Sequence, residues 1–306
     1  MSTEPDGGDG PIAAVVVTYE SAGSLEACLA SLAGAAPRRG VRTIVVDNAS
    51  RDASVAIAGR HLPAADIVHL TANRGFAAGV NAGLATASEP WIAVVNPDVE
   101  VPAGGLDALA DVLVAHPRAA LASPRMTDAR GGLERSVGPF PTPRREWAHS
   151  WLLDHAGVQG RFGRLPATCA TVDWASGCAW LLRAGAVRDV GQLDEEYFMY
   201  FEDVDYCRRL HDAGWDVMHV PDVRWTHALG KGSSMTGTQP ADGGLAALRY
   251  FRKFHPAVPE ARVRAWLVRG WRLRLAWRRA RALLGDPRSA SIARRYAIAI
   301  EQVRAR

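Results

Sequence analysis

Four short apolar runs, each ending in a polar cluster and each followed by a helical pattern, constrain the fold of this chain more than any other feature. Ile12–Thr18 (IAAVVVT), Thr43–Val46, Ile67–Leu70 and Trp91–Val95 (WIAVV) read as strands. Ser21–Ala33, with Leu25, Cys28, Leu29 and Leu32 on one face, Asp52–Ala58, Phe76–Ala87 and Leu106–Ala115 read as the helices between and after them. Strands that alternate with helices predict a parallel sheet with right-handed crossovers. Unbroken Val/Ile/Ala runs, rather than period-2 alternation, predict strands covered on both faces.

Further along, Ala119–Ala122 reads as another strand. Ser123–Thr171 is rich in Pro, Gly and Arg and reads as a long loop with one helix near Trp147–Leu153; loops of such length in compact domains are often functional. Order returns with the strand-like VDWASGCAWLL from Val172, helices near Ala184–Val190 and Glu202–Ala213, and a strand at Asp216–Val220. Gly230–Gly244 is Gly/Ser/Thr-rich and is expected to be mobile, and the remainder reads as helical.

At 306 residues with 48% hydrophobic and 22% charged side chains, the chain is globular in composition and long enough to bury a core without staples. Cys28, Cys169, Cys178 and Cys207 form no CxxC pair, which argues against a zinc ribbon or disulfide framework and fits a reducing compartment. MSTEPDGGDG lacks the basic and apolar regions of a signal peptide, and no apolar run reaches the roughly 20 residues of a membrane span. The expected location is cytoplasmic, either free or peripheral on the inner face of the plasma membrane, with residues 1–10 disordered.

The net charge of +4 hides a segregation. Residues 249–306 carry 16 basic and 3 acidic side chains, against 20 basic and 29 acidic elsewhere. Trp266, Trp271 and Trp277 lie among these arginines. Such a segment suits either an anionic lipid surface or helices packed on the rest of the protein. Nucleic acid is not expected, since no recognised nucleic-acid module is present.

In open α/β sheets, ligands sit beyond the carboxyl ends of the strands. Here those ends carry Thr18-Tyr19-Glu20, Asp47-Asn48-Ala49-Ser50, Asn73-Arg74-Gly75 and Asn96-Pro97-Asp98. An Asp after a strand is commonly a turn former or helix cap, but four polar strand ends together point to one pocket. No GxGxxG follows the first strand and no GxxxxGK[ST] occurs anywhere. Gly79 and Gly83 have the four-residue spacing of close helix packing.

VVVTYES, VVDNASRD, NRGFAAGVNAGL, VVNPDVEV, SGCAWLLR, YFMYFEDVDYCRRLHDAGW and THALGKGSS follow the order and approximate spacing of family 2 glycosyltransferases. Over about residues 11–235 the chain resembles the bacterial rhamnosyltransferase branch of that family. The resemblance implies a GT-A fold: a mixed, mainly parallel sheet flanked by helices, with a basic helical C-terminal extension at 245–306. It divides the catalytic domain into a nucleotide-binding half, 11–122, and an acceptor and catalytic-base half, 123–235.

The resemblance also implies roles. Thr18, Tyr19, Glu20 and Asp47 would hold the base and ribose; a carboxylate suits the imide N–H of uracil or thymine, because it only accepts. Asn73 and Gly75 would line the phosphate side. Asn81 would reach the site from its helix or make a simple buried hydrogen bond. Asn96-Pro97-Asp98 stands where the family has its DxD metal motif, which leaves Asp98 as a direct ligand of Mg²⁺ or Mn²⁺ and His227 to complete the site. Glu100 would support that site or point away. Lys231 would reach a phosphate or stay solvated. Trp174 would stack on a sugar or pack in the core. Asp203 would be the general base with Glu202 beside it, their roles not separable from sequence.

The function these residues imply is inverting transfer of a sugar from a nucleotide donor to a hydroxyl of a saccharide or a polyprenyl-diphosphate-linked acceptor, in cell-wall or surface polysaccharide assembly. The branch implies dTDP-L-rhamnose. The alternatives are UDP-GlcNAc, UDP-galactose or UDP-galactofuranose as donor, or a non-catalytic sugar- or lipid-binding protein on a degenerate transferase fold.

Overall fold

The computed structural model describes residues 8–153, 165–228 and 239–305. The expectations for the first residues, for most of Gly230–Gly244 and for Lys231 therefore fall largely outside the described residues. In chain order the elements are β1 (Ile12–Thr18), α1 (Leu25–Leu32), β2 (Val41–Asp47), α2 (Ser54–His61), β3 (Ile67–His69), α3 (Phe76–Thr86), β4 (Trp91–Val95), β5 (Val99–Glu100), α4 (Gly105–Ala115) and β6 (Ala119–Asp128). They continue with β7 (Val137–Gly138), α5 (Pro143–Ser150), β8 (Ala170–Thr171), β9 (Trp174–Ala175), β10 (Ala179–Arg183), α6 (Ala184–Val190), α7 (Glu202–Asp212), β11 (Asp216–His227), α8 (Gln239–Phe254), α9 (Glu260–Leu283) and α10 (Pro287–Ala305). The chain divides into two compact units: Met1–Gly138 with Arg164–Phe198 and Glu202–Gly230, and Pro139–Gly163 with Met199–Phe201 and Lys231–Arg306.

The first unit is built on a main sheet in the order β3-β2-β1-β4-β10-β6-β11-β5, with β8 also paired to β11, and on a second sheet of β7 and β9. β3, β2, β1 and β4 run parallel, as do β6 and β11; β10 is antiparallel to both β4 and β6. The main sheet is thus mixed and mainly parallel. The residues of β1, β4 and β10 are buried throughout, as strands flanked on both faces require. Gly79 and Gly83 let α3 lie against β1: a Cβ at either would run into Val17 or Val15.

Besides the short strands β7 and β8 in the stretch read as loop and a later start of α1, four segments differ from the sequence reading. VDWASGCAWLL is two strands, β9 and β10, separated by a turn at Ser176–Cys178. β6 continues past Ala122 to Asp128, into the stretch read as loop. α5 begins at Pro143, earlier than expected, because Thr142 Oγ1 accepts the Arg145 N–H at 3.3 Å and proline occupies the first turn. β11 does not stop at Val220. Pro221 has no N–H to give the ladder, the pairing with β6 shifts register between Val220 and Arg224, and the strand resumes as far as His227.

In the second unit α5, α8, α9 and α10 pack together. Gly270 of α9 sits close to the Ser150 backbone of α5, Arg269 donates to Ser150 Oγ at 2.6 Å, and His255 Nε2 meets the Pro141 carbonyl at 3.0 Å. No helix among the described residues is long and apolar enough to cross a membrane.

Candidate active site

The parallel register of β1 and β2 sets Thr18 beside Asp47 at the carboxyl end of the sheet. Thr18 is fully buried, and its hydroxyl has no hydrogen-bond partner among the described residues. Asp47 is also buried; its carboxylate accepts the Ser50 N–H at 3.2 and 3.3 Å. It therefore forms the turn after β2, with oxygen lone pairs left over for a ligand. The loops after β1 and β2 are tied together, Glu20 N–H to Ser50 Oγ at 3.1 Å and Arg51 N–H to Glu20 Oε1 at 2.8 Å. Glu20 and Ala49 both have left-handed backbone, with φ of 52° and 66°, a strain that persists where surroundings impose it. Tyr19, 46% exposed, stands at the surface of these loops.

The Asn73-Arg74-Gly75 loop is held by Asn48, whose Nδ2 donates to the Gly75 carbonyl at 2.9 Å and whose Oδ1 accepts the Arg74 N–H at 2.9 Å. Asn73 Oδ1 accepts the Gly75 N–H at 3.0 Å. Gly75 has φ 88°, and a Cβ there would strike the Phe198 carbonyl, which already accepts the Phe76 N–H at 3.0 Å. Glycine is thus required at this position. Among the described residues, Asn81 is joined to this loop only through Glu195, which pairs with Arg74 at 2.6 Å. Its amide donates to the Leu193 carbonyl at 2.9 Å and Glu195 Oε1 at 3.0 Å, and accepts the Leu193 N–H at 2.9 Å. The buried hydrogen-bond role takes up its polar groups.

At the end of β4, Asn96 N–H donates to the Cys178 carbonyl at 2.9 Å, so the Asn96-Pro97-Asp98 turn lies against the Ser176–Cys178 turn before β10. The next link is Gly177 N–H to Asp203 Oδ2 at 3.2 Å. Asp203 at the start of α7 is thereby brought to the edge of the sheet that carries Asp98. On the other side, Ala228 N–H donates to the Asp98 carbonyl at 2.7 Å, and His227 Nε2 faces Asp98 Oδ2 at 3.1 Å. Glu100 is exposed. Trp174 is buried at 8% exposure, which leaves its indole little open ring face.

One residue of this cluster had no signal in the sequence. Glu134 Oε2 lies 2.9 Å from His227 Nδ1, opposite Asp98, and only 11% of its side chain is exposed. The hairpin beyond β6 delivers it: Glu134 N–H donates to the Met126 carbonyl at 3.0 Å, and Asp128 Oδ1 accepts the N–H groups of Arg130 and Gly132 at 2.8 and 2.7 Å. Burial disfavours the imidazolium of His227, but hydrogen bonds and charge from Asp98 and then Glu134 outweigh it and raise the pKa to about 9.

The two carboxylates of the α7 start have unlike surroundings. Glu202 is buried, and its Oε2 has no hydrogen-bond partner among the described residues. Burial first, and the neighbouring Asp203 charge second, hold its pKa well above the usual carboxylate range. Asp203 is half-buried and accepts the Val204 N–H at 2.8 Å as well as that of Gly177. Farther along α7, Arg209 pairs with the buried Asp205 at 2.8 Å and Arg208 with Asp212 at 3.0 Å, which leaves those charges structural.

A carboxylate oxygen and an imidazole nitrogen that face each other, with a second carboxylate holding the far ring nitrogen, suit a divalent cation. No group of three or more candidate ligands occurs among the described residues. A cation here would draw its remaining coordination from substrate phosphate and water, the habit of Mg²⁺ sites.

The family model for glycosyl transferase family 2 matches residues 13–190. The chain belongs to that family. The N-acetylglucosaminyl-diphospho-decaprenol L-rhamnosyltransferase of Mycobacterium tuberculosis is 34% identical over 253 residues, 74% of this chain and 78% of the relative. Among solved structures, S. aureus TarS 1–349 in complex with UDP-GlcNAc superposes with a TM-score of 0.55 at 16% identity, covering 84% of this chain and 70% of that one. The mannosyltransferase PcManGT of Pyrobaculum calidifontis, in complex with GDP-Man and Mn²⁺, gives a TM-score of 0.54 at 17% identity over 96% of this chain and 84% of that one. These two likenesses establish the GT-A fold of this glycosyltransferase.

Proposed function

We propose that this glycosyltransferase moves L-rhamnose from dTDP-L-rhamnose to a hydroxyl of a polyprenyl-diphosphate-linked saccharide, with inversion, in cell-wall or surface polysaccharide assembly. The observation that carries the reading is the linkage of Asp98, His227 and Asp203 through the two turns at 96–98 and 176–178. A charge-handling pair and a half-buried carboxylate then flank one sheet edge. The mycobacterial relative supplies the donor sugar and the class of acceptor.

In this reading Thr18, Tyr19, Glu20 and Asp47 hold the base and ribose, and Asn73, Gly75 and Asn96 line the diphosphate. Asp203 takes the acceptor's proton as its oxygen bonds to the anomeric carbon and the bond from that carbon to the diphosphate breaks. Fixing both reactants at one edge supplies the orientation such a displacement needs. Glu202, held towards its protonated form, does not compete for the proton. Mg²⁺ or Mn²⁺ held by Asp98 and His227 would neutralise charge on the departing nucleoside diphosphate. The lipid-linked acceptor sets the enzyme to work at the inner membrane surface, which the basic helices α8 to α10 suit.

The test is transfer by the purified chain from a panel of dTDP- and UDP-sugars to a polyprenyl-diphosphate-linked N-acetylglucosamine. Rhamnosylated product from dTDP-L-rhamnose is expected. Turnover confined to a UDP-sugar would replace the donor assignment, and no turnover with any donor would reject the catalytic reading.

A further inference from the structure

The turn between α9 and α10 is tightly determined and yet presents its largest side chains to solvent. Gly285 has φ 89°, its N–H donates to the Ala282 carbonyl at 3.1 Å, and Asp286 N–H reaches back to the Arg281 carbonyl at 3.1 Å. This is a Schellman ending, which usually adds an apolar contact between the residues that Arg281 and Asp286 replace here. Those two form an ion pair instead, at 3.1 Å. Asp286 also caps α10, accepting the Arg288 N–H at 3.1 Å and the Ser289 hydroxyl at 2.9 Å, with Pro287 in the first turn. Leu284 supplies the C-cap backbone, its N–H donating to the Ala280 and Arg281 carbonyls at 3.2 and 3.1 Å, but its side chain and that of Leu283 take no part in the cap. Leu283 is 89% and Leu284 87% exposed.

What surrounds them is cationic. From residue 261 to residue 300 the sequence holds eleven arginines and one acidic residue, Asp286. Arg279, Arg281, Arg288 and Arg294 are all exposed. Trp277, 51% exposed, lies under the guanidinium groups of Arg278 and Arg281 at 4.7 and 5.4 Å from its ring centre. An open groove of about 480 Å³ runs between the two helices, lined by Leu275, Arg279, Leu283, Ala290, Arg294 and Ala297 among others.

We infer that the α9–α10 turn is a membrane-docking tip, in which Leu283 and Leu284 enter an anionic bilayer and Arg279, Arg281, Arg288 and Arg294 meet its phosphates. Apolar side chains at a fixed turn, ringed by arginine and an interfacial tryptophan, match the two layers of a lipid surface. A second protein surface would have to supply both an apolar pocket and a dense acidic rim. The inference deepens the membrane-facing part of the function above, and its test reads binding without transfer.

The experiment is co-sedimentation of the full chain with vesicles of phosphatidylcholine plus phosphatidylglycerol and with vesicles of phosphatidylcholine alone. The unaltered chain is expected to prefer the anionic vesicles and to lose binding as salt rises. Leu283→Asp with Leu284→Asp is expected to weaken binding by about tenfold or more, since it replaces the two apolar side chains that enter the bilayer with charged ones. Arg279→Glu with Arg294→Glu is expected to abolish the preference for phosphatidylglycerol. Both pairs lie on the surface and should retain the thermal midpoint and transfer to a short-chain, water-soluble acceptor. Unchanged sedimentation of the leucine pair would overturn the inference. So would light scattering that shows a dimer of the unaltered chain split by that pair, because the tip would then be a contact between copies. Loss of the rhamnosyl-transfer reading would leave the vesicle result standing.

Discussion

Adjacent carboxylates at the start of α7 are pulled apart chemically by a difference in burial. Glu202 is sealed in and biased towards its neutral form, while Asp203 is half open and fixed by two backbone N–H groups. Asp203→Asn is expected to lower kcat by about a hundredfold or more, as for removal of a general base. Glu202→Gln, which mimics the neutral acid, is expected to stay within about threefold of the unaltered rate; steady-state kinetics on the two variants distinguishes their roles. Glu134 acts through His227. With a cation bound in place of the Nε2 proton, an Nδ1–H donated to Glu134 would leave the Nε2 lone pair for the metal beside Asp98, the arrangement that orients an imidazole for a cation. Glu134→Ala is expected to weaken Mn²⁺ binding by about 10- to 100-fold, read by calorimetry, while Glu134→Gln, which can still accept a hydrogen bond, recovers most of it. Sequence could point to His227 through its motif. Glu134 was silent because nothing within its own segment announces that a hairpin will carry it 93 positions along the chain to that ring.

Among the elements, packing and pairing decide what propensity leaves open. Gly83→Ala in α3 drives a methyl into Val15 of β1 and is expected to cost about 1–3 kcal/mol in a urea titration. Gly59→Ala in α2, where nothing lies within reach of the new methyl, is expected to stabilise by about 0.5–1 kcal/mol instead. The pairing of β6 with β11 buries His219, whose pKa is lowered to about 4 by burial first and Arg125 second. An unfolded chain takes up that proton near pH 6.5, and the folded chain does so only near 4. Stability from this group is present above 6.5 and lost as pH falls. The thermal midpoint is therefore expected to drop between those values, and His219→Leu to flatten that slope. The four parallel strands were legible because each is a continuous apolar run. The end of β11 was not, because Pro221 reads as a terminator and only the pairing partner shows that the strand resumes. The extension of β6 was hidden for a similar reason: Pro124 and Arg125 look like loop until β11 lies beside them.

At the scale of the molecule, charge is segregated by unit. The carboxylates of the candidate site belong to the first, and the arginine-rich helices α8 to α10 to the second. This separation was visible in the sequence because charge counts need no fold. The membership of 139–153 in the second unit was not, since only the packing of α5 on α9 gathers it there. A division of this kind suits an enzyme with a water-soluble donor and a lipid-borne acceptor, as proposed above: a polar edge would handle the diphosphate while a cationic surface would meet the bilayer. The central claim is that residues distant in sequence assemble around one nucleotide diphosphate. The most direct measurement is a crystal structure of the chain with dTDP and Mn²⁺. It is expected to place the base beside Thr18 and Asp47, the diphosphate between Asn73-Arg74-Gly75 and Asp98, and the cation on Asp98 and His227, with Asp203 open to the sugar side. A nucleotide bound elsewhere, or one seated here with Asp203 turned away from its diphosphate end, would contradict the account.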